Sequence, residues 1–178
     1  PRKNTYELDA KNKTLKLMLS PASFKLRGRY NLMGFRQKET EFEYSAHMNF
    51  VPKKNNSEAG LSIFSQDDNY INFTIKKEDN ITKLILTVKP RGSKLKIIKS
   101  IPFKYKDNVV LQILSKDQKY TYHYSDDGGN SFKLFSETEA NLVLCKGYIG
   151  TNLGLYATSN GEKTKEYAQF KWVKNQIK

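Results

Sequence analysis

Apolar side chains in this chain recur at every second position, segment after segment. In "FEYSAHMNF", Phe42, Tyr44, Ala46, Met48 and Phe50 fall on one face; Glu43, Ser45, His47 and Asn49 fall on the other. That pattern belongs to a strand buried on one side only. It returns in "LKLML" (15–19), "AGLSIFS" (59–65), "YINFTI" (70–75), "ITKLILTV" (81–88) and "SKLKIIKSI" (93–101). It continues in "VVLQIL" (109–114), "KYTYHYS" (119–125), "NLGLYAT" (152–158) and "EYAQFKWV" (166–173). Turn-forming clusters such as "PKKNNSE", "QDDN", "KEDN", "KDQ", "SDDGGNS" and "TSNGEK" separate them. No stretch carries a long apolar stripe at helical spacing. The expectation is an all-β protein, a two-sheet antiparallel jelly-roll sandwich.

A chain of 178 residues that is 38% hydrophobic suffices for one well-cored domain, and no linker divides it. The single domain is expected to span 1–178. It opens at Pro1 rather than Met, which reads as a segment of something longer or as a processed product. No apolar run is long enough for a spanning helix, so no membrane partner is expected. Cys145, the only cysteine, excludes an internal disulfide and leaves the compartment unfixed; a secreted or periplasmic location is favoured over a cytoplasmic one. Net charge is +13, with the densest basic run at "KPRGSKLKIIK" (89–99). Only five of the cations are Arg and the lysines are dispersed. Nucleic-acid readers concentrate charge and favour Arg for bidentate contacts, so a solvated basic surface is the better reading than a nucleic-acid or anion binder.

"SDDGGNSF" has the spacing Ser125-x-Asp127-x-Gly129-x-Ser131-Phe132, which resembles the Asp-box turn of sialidases. Asp127 can accept from turn N–H groups, Gly128 or Gly129 can supply positive φ, and Phe132 would pin the hairpin to the core. A structural calcium on Asp126, Asp127 and Asn130 is the sharper alternative; otherwise no metal and no cofactor are expected. "QDDNY" (66–70) reads as a hairpin. His47 and His123 lie opposite the aromatic faces of their strands and read as surface or sheet-face residues. Glu41, Glu43, Glu58, Asp67 and Asp68 supply carboxylates, but nothing in their spacing selects an acid and a base for glycoside hydrolysis. No catalytic residue is assigned. "FKLRGRYNLMGFRQKET" (24–40) is expected to be a long irregular loop. The glycines of "GYIGTNLGLYATSNGEK" (147–163) lead back into strand alternation rather than into a helix, which removes a phosphate loop; they mark bulges or close backbone approach.

"EAGLSIFSQDDNYINFTI" (58–75), "YTYHYSDDGGNSFKLF" (120–135), "GYIGTNLGLYATSNGEKTKEYAQFKWV" (147–173) and "LRGRYNLMGFRQKETEFEYSAHMNF" (26–50) together resemble the C-terminal domain of family 43 glycoside hydrolases. These include β-xylosidases and α-L-arabinofuranosidases. The resemblance implies a concanavalin A-like sandwich joined in cis to a five-bladed catalytic propeller, serving as an accessory domain at the edge of a site for oligo- or polysaccharide. In that family the segment similar to "YIGTNLG" places an aromatic ring at the propeller's mouth; here Asn152 takes that position and Tyr148 is the nearest ring. Tyr148 and Asn152 are therefore the expected substrate-edge residues. Arg36 and Gln37 resemble the family's arginine–glutamine pair and are expected at the interdomain interface. A free-standing carbohydrate-binding module or lectin-like domain is the alternative reading.

Overall fold

The computed structural model describes residues 4–26, 28–105, 108–143 and 150–177. Its strands are β1 (Tyr6–Asp9), β2 (Thr14–Met18), β3 (Asn31–Arg36), β4 (Phe42–Asn49), β5 (Glu58–Gln66), β6 (Asn69–Glu78) and β7 (Ile81–Lys89). They continue with β8 (Lys96–Pro102), β9 (Val109–Lys116), β10 (Lys119–Ser125), β11 (Lys133–Glu139), β12 (Asn152–Thr158) and β13 (Tyr167–Ile177), with a 3₁₀ turn at Ala140–Val143 before β12. Seven strands form one sheet in the order β1-β2-β13-β4-β9-β10-β11; six form the other in the order β3-β12-β5-β6-β7-β8. The all-β sandwich expected from the alternation is the architecture observed.

The alternating residues meet between the sheets. Phe42, Tyr44, Ala46 and Met48 of β4 face Leu61 and Ile63 of β5, Ile71, Phe73 and Ile75 of β6 and their neighbours in one continuous core. Phe73 lies 5.6 Å from the Tyr122 ring and 5.4 Å from that of Phe135, separations at which aromatic pairs attract. The buried Tyr122 hydroxyl is satisfied by Thr138 Oγ1 at 2.8 Å, as a polar group inside a core requires. At one side of the sandwich β8 and β11 are both edge strands. Lys99 of β8 crosses that opening, donating to the Phe135 carbonyl at 2.8 Å with its ammonium 5.1 Å from the Phe135 ring.

Residues 24–40 do not form one long loop. Asn31–Arg36 is β3, paired with β12 from Asn31↔Ala157 to Arg36↔Asn152. Met33 and Phe35 lie opposite the core residues Leu155 and Leu153, whereas Leu32 packs on the other side of the sheet. With apolar partners on both faces, β3 loses the alternation by which a strand is recognised.

That outer face is covered by the chain between β2 and β3. Phe24 is 1% exposed and sits among Tyr156, Phe64, Tyr30 and Tyr70, with ring centroids 4.3–4.8 Å away. Thr158 Oγ1 donates to the carbonyls of Ser20 and Ala22 at 2.9 and 3.0 Å, and Ser159 N donates to Ser20 O at 2.8 Å. These bonds and ring contacts strap residues 20–26 and Tyr30 across the six-stranded sheet, creating a second, aromatic core outside the sandwich.

Candidate functional site

The two described residues of the expected interdomain pair and the expected substrate-edge residue Asn152 converge at one pole of the sandwich. Arg36 and Asn152 are direct cross-strand neighbours at the ends of β3 and β12. Gln37 N donates to Thr151 O at 2.8 Å, extending the pairing by one residue. The Gln37 side chain donates to Glu39 O at 2.9 Å and accepts from Tyr120 Oη at 3.4 Å. Gln37 therefore ties the β3 end to β10, while the Arg36 side chain remains exposed. Gly150 has φ +73°, and a Cβ there would lie 2.6 Å from Arg36 Nε. The guanidinium thus packs on bare backbone, a contact that only glycine allows. Thr151 Oγ1 donates to Val143 O at 3.3 Å, joining the two ends of the segment that carries Tyr148. Tyr148 itself lies outside the described residues.

Beside this pole the sandwich is open between the sheets. A pocket of about 350 Å³ is lined by Phe35, Phe42, Leu153 and Ile177, with Arg36 and Gln37 at its mouth. Phe35 is 38% exposed and Ile177 66% exposed. These apolar residues escape sequence reasoning because Phe35 and Ile177 belong to inward-facing positions that the opposite sheet fails to cover. The signal was present in the run "NLMGFR", whose meaning depends on the strand's edge position.

The glycines behave as close-approach and turn positions. Gly34 faces Gly154 across the strands, and a Cβ on Gly34 would lie 2.3 Å from Leu153 O. Gly161, at φ +114°, serves the turn after β12.

The "SDDGGNS" turn is organised by Asp127. Its carboxylate accepts from Asn130 N, Ser131 N, Ser131 Oγ at 2.6 Å and Ser125 Oγ at 2.5 Å. Ser125 Oγ in turn accepts from Gly129 N at 2.8 Å, and Gly128 and Gly129 take φ of 79° and 102°. The hydroxyls of Ser125 and Ser131 hold the Asp127 carboxyl well below the usual carboxylate range. Of the oxygens considered for calcium, both of Asp127 accept from the turn and Asp126 is paired with Lys133 at 3.0 Å. Phe132 does not pin the turn to the core: it is 41% exposed, because it precedes an edge strand whose outer side meets solvent. Phe135 fills the core position instead.

His47 is buried rather than a surface residue, whereas His123 is a half-buried residue on its sheet face. His47 is 7% exposed and hydrogen-bonds Asn108 through Nε2, with the Trp172 ring 5.7 Å away. His123 Nδ1 is buried with no hydrogen-bond partner. Burial pushes both imidazoles below their ordinary pKa, outweighing for His47 the opposing bond to Asn108.

Two carboxylates do share a groove, of about 290 Å³, on the outer face of the six-stranded sheet: Glu58 and Glu78. Glu58 accepts from Thr74 Oγ1 at 2.9 Å and Asn160 Nδ2 at 3.0 Å. Glu78 is clamped by Lys76 at 2.6 Å and Lys83 at 3.3 Å. Partial burial opposes ionisation of Glu78, but the two lysines outweigh it and hold the carboxyl below the ordinary range. A glycosidase acid needs the opposite shift, so this groove is not arranged for proton donation.

Comparison with known proteins matches residues 1–176 to the family described as the β-xylosidase C-terminal concanavalin A-like domain. A non-reducing end α-L-arabinofuranosidase of Bacteroides ovatus is 26% identical over 177 residues, covering 97% of this chain and 32% of its own. A xylosidase/arabinosidase of Butyrivibrio fibrisolvens is 25% identical over 172 residues, covering 89% and 31%. Among solved structures, a family 43 protein of Bacillus licheniformis superposes with a TM-score of 0.89 at 20% identity, over 100% of this chain and 35% of that one. The chain spans about a third of the length of these relatives.

Proposed function

Since the chain belongs to the family of β-xylosidase C-terminal concanavalin A-like domains, we propose that it works as the non-catalytic accessory domain of a plant-polysaccharide glycosidase of the xylan or arabinan side. Its Arg36–Asn152 pole is the face turned toward a catalytic propeller in cis. The observation that carries this reading is the juxtaposition at that pole of an exposed cation, an amide-bearing side chain and a half-open apolar pocket. Exposed apolar surface of this kind, rimmed by polar groups, is suited to a partner domain.

Physically, Phe35 and Ile177 would lose their solvent on docking, and Arg36, held in place by Gly150, would find acceptors on the neighbour. Asn152 offers both donors and acceptors to sugar hydroxyls. With Tyr148 on the adjoining segment, it would form one wall of the sugar site and help exclude water from a reaction performed by the other domain. The relatives' names, a xylosidase/arabinosidase and an α-L-arabinofuranosidase, support this choice of substrate class.

The test is a chimera in which this chain replaces the C-terminal third of the Bacteroides ovatus arabinofuranosidase. Retained turnover of an aryl arabinoside is expected, together with at least tenfold loss of activity on Phe35→Asp. Free tumbling of the two parts in X-ray scattering, with Phe35→Asp silent, would overturn the docking face. The isolated chain is expected to turn over neither aryl xylosides nor aryl arabinosides; turnover by the chain alone would refute the non-catalytic role.

A further inference from the structure

At the opposite pole, where β4 ends and β13 begins, lies an open trough of about 830 Å³. We propose that it is a binding site for carboxylate-bearing oligosaccharides. This goes beyond the accessory role, because Gln169 of the trough is eight residues along β13 from Ile177, roughly 26 Å at strand rise. A partner seated at the Arg36–Asn152 pole would leave it open.

Three features define what the trough would take. First, its rim carries Lys53, Lys54, Lys163 and Lys165, all exposed. Among the described residues none of the four forms an ion pair; the four pairs present involve Lys16, Lys76, Lys83 and Lys133. The one acid in the lining, Glu166, is engaged elsewhere, accepting from Lys53 N at 2.9 Å and Ser57 Oγ at 3.1 Å. Those bonds latch the segment after β4 to the one before β13, bringing the two lysine pairs to one trough. Four exposed ammonium groups around one trough, against a single carboxylate, attract a ligand carrying negative charge.

Second, Asn49 lines the trough and its Oδ1 is buried with no protein donor. A buried acceptor left unmet is costly, so the site favours a ligand that donates. Phosphodiester oxygens only accept; a sugar ring presents hydroxyl donors beside its carboxylate. Third, Tyr167 lines the trough and is 43% exposed, with the Lys16 ammonium 5.3 Å from its ring centroid, so an aromatic surface lies beside the charge for a sugar ring to pack on. Charge, unmet acceptor and aromatic face together describe a uronic acid residue within a short oligosaccharide. The volume falls within the range of small-ligand sites.

Calorimetric titration of the full chain at low salt, with tetragalacturonate, a glucuronic-acid-substituted xylotetraose, plain xylotetraose and a (dT)4 oligonucleotide, tests the proposal. At least one uronate should bind ten or more times more tightly than xylotetraose and than (dT)4. The double variant Lys163→Gln/Lys165→Gln should lose that binding at least tenfold with an unchanged melting temperature. Asn49→Leu should weaken uronate binding several-fold. The control Lys94→Gln/Lys96→Gln, in the basic run on the far edge, should leave it intact. Absence of binding by both uronates overturns the site. So does (dT)4 binding as tightly as the uronates, or an equal loss in the control variant, either of which would mean diffuse charge rather than a built trough. None of these outcomes bears on docking at the other pole, which the chimera reads separately.

Discussion

Asp127 accepts four hydrogen bonds within its own turn, and its carboxylate is the hub on which that turn closes. Because its native pKa is depressed below the unfolded value, its stabilising contribution is present above about pH 4, the ordinary carboxylate range, and is lost as pH falls further. The melting temperature of Asp127→Ala should accordingly lie below that of the parent at pH 7, and the gap should close on acidification. His47 acts in the opposite chemical sense with the same direction in pH. Held neutral by burial, it resists protonation that the unfolded chain accepts, so stability should decline as pH drops below about 6.5. Thermal melts from pH 7.5 to 5 should show this slope flattened in His47→Gln. The Asp127 turn was legible because its donors and acceptors lie within seven residues of one another in sequence. The burial of His47 was not, since Asn108, just before β9, and Trp172 of β13 reach it from distant parts of the sequence.

At the level of elements, alternation identified ten strands because apolar and polar side chains still alternate along them, even where, as in β5, β6 and β12, both faces are buried. It failed for β3, apolar on both faces, for the four-residue β1, and for β11, where only Phe135 and Thr138 are buried. The strap over the six-stranded sheet was equally hidden, since Phe24 finds its partners in β5, β6 and β12. Phe24→Ala should cost about 3 kcal/mol, the low end for a buried aromatic. It should release residues 20–26 to proteolysis at protease levels that leave the parent intact. Limited digestion read by mass spectrometry distinguishes this local loosening from global unfolding. At the crossing of β3 and β12, Gly34→Ala forces a methyl into the Leu153 carbonyl. A loss of about 1–3 kcal/mol in urea denaturation is expected, as for other overpacked sites. If the variant melts like the parent, the two backbones are not held as close as described.

On the scale of the molecule, the two poles carry different chemistry: apolar and amide-bearing groups around Arg36 and Asn152, ammonium groups around Asn49 and Gln169. Family resemblance pointed to Arg36, Gln37 and Asn152, which folding brings together at the first pole. It gave no hint of the second, whose lysines come from two segments more than a hundred positions apart and are brought together by the Glu166 latch. The dispersed positive charge noted in the sequence is thus locally concentrated by folding. Ending the chain after Glu166 should abolish the cooperative thermal transition, because β13 pairs with β2 on one side and with β4 on the other. A truncated chain that still melts cooperatively would show that its neighbours can zip without it.

That placement of β13 has a kinetic side. Among the strands of the larger sheet, β13, last in chain order, fills the gap between β2 and β4, two of the earliest, so that sheet stays divided until β13 has been synthesised. Until then β2 and β4 each present an unclosed hydrogen-bonding margin, a template for pairing with other nascent chains. Yield in a fast-translating host should therefore be limited by aggregation of incomplete chains rather than by the stability of the finished sandwich.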